Sequence, residues 1–232
     1  MSERFFVSPP VTGDRVQLTG DEARHLTAVM RARVGEQIVL FDGGGAEFVA
    51  EVTTIRKQAA DLTIVERRAI TRELTREVTL AVALPKGERQ KWLVEKATEL
   101  GVTRLVPLIT TRGIAEPVAA ALERLKRTVI EACKQCGRNR LMEIAPPVRA
   151  GEPFASAPAG ICVLADPNGQ PLTKIHLESG VAVTVAVGPE GGFTGEELSA
   201  ARDAGWQFVS LGRSILRVET AAIAMAAWGG TQ

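Results

Sequence analysis

Residues 181–197 read VAVTVAVGPEGGFTGEE. An apolar run, 181–187, breaks straight into a glycine-rich turn, and Thr194 and Glu197 follow at capping-box spacing. A strand apolar on both faces and followed at once by a helix start belongs to a parallel sheet covered on both sides. Glycines between a strand end and a helix start let a ligand approach the backbone closely. In open α/β sheets, ligands bind at such carboxyl ends. The loop is not a Walker loop, having no Gly-Lys-Ser/Thr, and it is not GxGxxG. A plain tight turn is the alternative, but Pro189 fixes the backbone and Glu190 adds an acid that a turn does not need.

Outward from this stretch the same alternation continues. The pattern predicts a strand over 78–84, a helix over 88–100 closed by Gly101, and a strand over 102–109. A long helix over 117–136 ends at Gly137, strands follow over 161–165 and 206–211, and an alanine-rich helix over 216–228 closes the chain. That helix is apolar on more than one face, which places it in a dimer interface. Residues 1–70 have another texture. Runs 37–41 and 46–52 flank Asp42-Gly43-Gly44-Gly45 as a hairpin, and 61–65 is a further strand. Asp21 caps a short helix over 21–31 with Leu26, Val29 and Met30 on one face. The reading is a small β-barrel-like domain over 1–70, a charged linker over 71–77, and an α/β domain over 78–232.

The chain has 232 residues, 45% hydrophobic and 24% charged, which excludes a wholly disordered, collagen-like or coiled-coil protein. The net charge is +1, but residues 86–140 carry 12 basic and 6 acidic groups, net +6. The middle of the chain is therefore the expected anion-facing surface. Three cysteines argue against a disulfide framework and for a reducing cytoplasm. The N-terminus reads as no signal peptide, and no apolar run approaches the roughly 20 residues of a membrane helix. Cys133 and Cys136 have CxxC spacing, but Cys162, His25 and His176 are scattered, so no metal site is expected.

Two further stretches can carry chemistry. In 211–221, LGRSILRVETA, a strand ends, an apolar loop follows, and Arg217 and Glu219 stand beside an otherwise apolar helix. In 131–140, EACKQCGRNR, the Arg-Asn-Arg after a helix end reads as a phosphate clamp, with Lys134 nearby. Lys86-Gly87-Glu88-Arg89 is a weaker spot of the same kind.

These pieces carry a resemblance. HLTAVMR (25–31), LPKGERQKWLVEKATELGV (84–102), EACKQCGRNR (131–140), GPEGGFTGEEL (188–198) and LGRSILRVETAAIAMA (211–226) resemble, in order, the ribosomal small-subunit RNA methyltransferase E family. That family is a branch of the SPOUT, or trefoil-knot, methyltransferases. Ser214 and Val218 stand where the family usually has arginine and threonine. The resemblance implies a PUA-like β-barrel followed by a knotted parallel α/β domain, a homodimer, and S-adenosylmethionine as methyl donor. It implies methylation of N3 of a uridine in 16S rRNA of the small ribosomal subunit. A related SPOUT activity on tRNA or a ribose hydroxyl, or a non-catalytic RNA-binding assembly factor, are the alternatives.

The cofactor cup implied combines Leu164, Gly188, Pro189, Glu190, Gly191, Gly192, Leu211, Gly212, Ile215 and Leu216, backbone groups bonding adenine and leucine and isoleucine sandwiching it. Arg217 is expected to stabilise the uridine anion, with Glu219 or Asp166 orienting it or receiving the proton. Arg4, His25, Arg31, Lys86, Arg138 and Arg140 are expected on the RNA.

Overall fold

A computed structural model of the chain describes residues 4–113, 118–155 and 158–231. These form two compact units.

The first unit comprises the residues up to Glu73 together with Ile130–Leu141, a helix end and the loop after it. The sequence reading assigns that loop to the α/β domain. Strands β1 (Arg4–Phe6), β2 (Arg15–Thr19), β3 (Gln37–Phe41), β4 (Glu47–Ile55) and β5 (Ala59–Arg68) form one sheet in the order β1-β3-β4-β5-β2. All pairs are antiparallel except β1 with β3. Phe5, Leu18, Leu26, Leu40, Phe48 and Leu62 fill its core. The expected 21–31 helix is different in detail. Helix α1 (Gly20–Arg24) starts after Thr19 and widens into a π-helical turn over His25–Val29. The wider i→i+5 turn carries Val29 off the apolar face, so Val29 is 66% exposed while Leu26 is buried.

The second unit is a parallel α/β layer. Its strands are β6 (Val78–Val82), β7 (Arg104–Ile109), β8 (Glu143–Ile144), β9 (Val148–Arg149), β10 (Ile161–Pro171), β11 (Val183–Val187) and β12 (Gln207–Ser210). The order is β12-β10-β11-β6-β7-β8, with β9 beside β7, and every pairing is parallel. Helices α2 (Glu88–Glu99), α3 (Ala119–Cys136), α4 (Gly151–Ala155), α5 (Gly195–Asp203) and α6 (Val218–Gly229) connect or cover the strands. The expected start of the long helix at Pro117 lies outside the described residues.

β11 is buried along its whole length, as its unbroken apolar run requires. Thr194 and Glu197 make the full capping box at the start of α5. Several boundaries differ from the sequence reading, two of them at the sheet end described below. β10 runs past Ala165 to Pro171 through an irregularity between Ala165 and Gln170. α6 begins at Val218, because Arg217 has an extended backbone (φ −66°, ψ 155°) at the N-cap position. α6 packs on α2, β6 and β11. Since β10, β11 and β12 are adjacent and parallel, the loops leaving their carboxyl ends gather at one end of the sheet.

Candidate functional site

Those three loops enclose a cavity of about 640 Å³. Ala165, Asp166 and Pro167 form one wall, Val187 to Gly192 a second, and Leu211 to Leu216 a third. Val218 and Ala221 of α6 close the cavity beneath them. A cavity of this size, mostly apolar with backbone groups at strand ends, suits a nucleoside-sized ligand.

The glycines are there for steric reasons. A Cβ on Gly188 would stand 3.0 Å from the ring of Phe193, which packs against Phe154 in the core. Gly192 has φ +67° and Gly212 φ +132°, both in the region that disfavours side chains. The Gly188–Gly192 loop is also held from outside. Arg112, after β7, donates from Nη1 to the carbonyls of Gly191 (2.8 Å) and Phe193 (3.4 Å). Thr111 donates from N and Oγ1 to Glu197 Oε1 at 3.0 and 3.2 Å, while Glu197 Oε2 accepts from Thr194 N at 2.7 Å. Sequence reading missed Thr111 and Arg112. The one available signal was their place at the carboxyl end of a parallel strand.

Of the expected cofactor residues, Gly188, Pro189, Glu190, Gly191, Gly192, Leu211, Gly212, Ile215 and Leu216 all line this cavity. Leu164 does not. It is fully buried in the core of the unit, and Ala165 takes its place at the wall because successive strand residues face opposite sides. Ile215 is 89% exposed, an apolar side chain left without cover at the rim.

The expected catalytic groups are placed differently from one another. Asp166 lines the cavity, and its Oδ1 accepts from Asn168 N at 2.7 Å. Arg217 is exposed at the N-cap of α6, outside the cavity lining and with no ion pair among the described residues. Glu219 is buried in the first turn of α6, where a negative charge favours the helix N-terminus. Its Oε2 has no hydrogen-bond partner among the described residues. Arg89 of α2 places Nη1 3.7 Å from Glu219 Oε1 and 3.7 Å from Glu190 Oε1. Arg89 and Lys86 also line a cavity of about 50 Å³ that shares Pro189 and Glu190 with the larger one.

The expected RNA contacts divide. Arg31 (at φ +57°), Lys86 and Arg140 are exposed. His25 is half-buried, its ring 5.7 Å from that of Phe5. Arg138 and Arg4 are corrected. Arg138 is buried, with Nη2 2.6 Å from Glu73 Oε2, and cannot present its charge to a phosphate. Arg4 is spent on Glu47 (2.7 Å) and Asn139 Oδ1 (2.6 Å). Lys134 is likewise held by Glu22 at 2.9 Å and Glu131 at 3.3 Å. Although its burial alone disfavours the charged form, these carboxylates raise its pKa. The segment 131–140 is therefore an internal clasp of the first unit: Asn139 Nδ2 also donates to the Ile70 carbonyl, and Arg72 to that of Gly137. Burial pushes the Cys133 thiol up to about 12, which makes it a packing group and not a nucleophile. Among the described residues no three His, Cys, Asp or Glu side chains cluster as a metal site, and no helix is long and apolar enough to cross a membrane.

Comparison with known proteins adds the following. Residues 72–229 match the family described as RNA methyltransferase domain, and residues 18–65 match RNA methyltransferase PUA domain. The ribosomal RNA small subunit methyltransferase E of Synechocystis sp. is 35% identical over 95% of this chain and 75% of its own. The crystal structure of a ribosomal RNA small subunit methyltransferase E from Neisseria gonorrhoeae, bound to S-adenosyl methionine, superposes with a TM-score of 0.90. It is 35% identical and is matched over 98% of this chain and 96% of that one. A Legionella pneumophila protein solved with bound SAM gives a TM-score of 0.91 at 30% identity, covering 99% and 97% of the two chains.

Proposed function

The chain belongs to the family of the ribosomal RNA small subunit methyltransferases E, and from that premise we propose that it methylates N3 of a uridine in 16S rRNA, with S-adenosylmethionine as donor. The observation that carries this reading is the glycine-walled cavity at three adjacent strand ends. Its contents fit the cofactor. Gly188, Gly191 and Gly192 let a purine approach the backbone closely, and Leu211, Ile215 and Leu216 supply apolar surface for its faces. When bound, S-adenosylmethionine supplies an electrophilic methyl group.

The remaining chemistry falls to side chains. Uridine N3 must lose a proton to become a nucleophile. Arg217 has no carboxylate partner among the described residues and stands at the positive end of α6, so it can stabilise the negative charge that develops on the uracil ring. The proton needs an acceptor within hydrogen-bond reach. Of the two candidate acids, Asp166 lines the cavity and accepts from Asn168 at Oδ1, while Glu219 lies outside the lining, buried at the start of α6, with an Oε2 that has no partner among the described residues. Exposed Arg31, Lys86 and Arg140 would contact phosphates, which position an RNA without reading its sequence.

This chain would act in the cytoplasm as a homodimer. Ile223, Ala224 and Trp228 of α6 remain half-buried in the single chain and would complete their burial at the interface. Light scattering at micromolar concentration is expected to give a dimer mass, and a monomer mass would remove this part of the reading. The function itself is tested by methyl transfer from labelled S-adenosylmethionine to small subunits from cells lacking this modification. Label in 16S rRNA supports the reading. Label in tRNA alone, or none, overturns it.

A further inference from the structure

Arg89 stands in the first turn of α2 and addresses two acids from other parts of the sheet end. Glu190 sits in the loop that walls the cofactor cavity, and Glu219 in the first turn of α6. Both carboxylates lie 3.7 Å from the same nitrogen, Nη1. The two are not equivalent. Glu190 is exposed and could satisfy itself with water, whereas Glu219 is 8% exposed and has an oxygen with no partner among the described residues. A buried carboxylate is costly unless paired. Among the described residues, Arg89 is the cation that reaches it within ion-pair distance.

An ordinary exposed ion pair would contribute little. This one joins the cofactor loop to one of the two acids proposed to take the N3 proton, and a single guanidinium is shared between them. We infer that Arg89 is a positioning residue for methyl transfer: it fixes where the Glu219 carboxylate stands relative to the Gly188–Gly192 loop. The inference rests on the function proposed above. It gives the weak KGER signal of 86–89 a role distinct from phosphate binding. Displacing a reacting group by about 1 Å can cost on the order of a hundredfold in rate, so an indirect role suffices for a large effect.

The test uses the full chain and small subunits as substrate, with R89A, R89K, E219Q and the R89A/E219Q double variant. Wild type is measured first; if it transfers no methyl group to 16S rRNA, the proposed function fails before the inference is reached. Given activity, R89A is expected to lose roughly ten- to a hundredfold in kcat. Its affinity for S-adenosylmethionine and its KM for the subunit should stay within about twofold, and R89K should recover part of the loss. In the E219Q background, R89A should cost little more, because the two residues act as one unit. Four results overturn the inference. An unchanged kcat removes the role, a cofactor affinity that falls in step with rate makes Arg89 a builder of the loop, and a rise in KM alone makes it an RNA contact. A full R89A effect persisting in E219Q overturns it as well.

Discussion

Arg138 and Glu73 form a closed pair inside the first unit, the Arg138 Nη2 lying 2.6 Å from Glu73 Oε2 and Nε 3.2 Å from the same oxygen. Their side chains are 4% and 15% exposed. Breaking one half of a buried pair leaves a charge without its counterpart, at a cost of about 3–5 kcal/mol. E73Q is therefore expected to lower the unfolding free energy by that amount, seen as a lower urea midpoint with the slope unchanged. A loss below about 1 kcal/mol would return Arg138 to the list of RNA contacts.

Glu47 is a second internal carboxylate, with an opposite lesson for pH. Burial pushes its pKa up, but hydrogen bonds from Arg4 (2.7 Å) and Arg72 (3.1 Å) outweigh burial and hold it below the ordinary value. A carboxyl lowered on folding stabilises fully above its unfolded pKa, about 4.3, and loses that stabilisation as pH falls from there through the folded value. E47Q should thus be less stable than wild type by about 2 kcal/mol at pH 7. The gap should narrow as urea titrations move from pH 5 towards pH 3. A gap independent of pH would contradict the assignment.

Gly191 separates cofactor binding from folding. A Cβ there would meet only Arg112, at an ordinary 3.5 Å, so the fold has room for it. G191V should keep a melting transition within about 0.5 kcal/mol of wild type. Its side chain would project where the backbone must approach the cofactor, and calorimetry should show S-adenosylmethionine affinity reduced at least tenfold. Unchanged affinity would move the cofactor out of this cavity.

Arg217 lies outside the cavity lining, so its removal should leave cofactor affinity nearly unchanged. If it stabilises the uracil anion, R217A should lower turnover by about a hundredfold, the scale of a lost oxyanion donor. R217K should recover only part, a point charge replacing a planar fork. Parallel loss of affinity and turnover would make Arg217 a pocket-building residue.

What the sequence disclosed follows the range of the forces involved. The β11 run, the capping box of Thr194 and Glu197, and the glycine loop are local patterns, and each is found in place. β1 and β2 escaped detection because each is short and takes its pairing from distant partners, β3 and β5. The basic loop 138–140 reads as a phosphate clamp because the counter-charge of Arg138, Glu73, is far away in sequence. Leu164 is buried beside the cavity wall and Ala165 lines it, because a strand alternates faces and only packing tells which residue faces the cavity. Arg89 carried no pattern that could reveal two acids brought to it by other elements.

The central claim is the identity of the methylated atom, and nucleoside mass mapping tests it directly. Small subunits lacking the modification are incubated with the purified chain and S-adenosylmethionine, the 16S rRNA is digested, and methylated nucleosides are separated against standards. One new 3-methyluridine, formed about a hundredfold more slowly when R217A replaces wild type, is the expected result. A ribose-methylated or 5-methylated uridine, or no new nucleoside, would contradict the account.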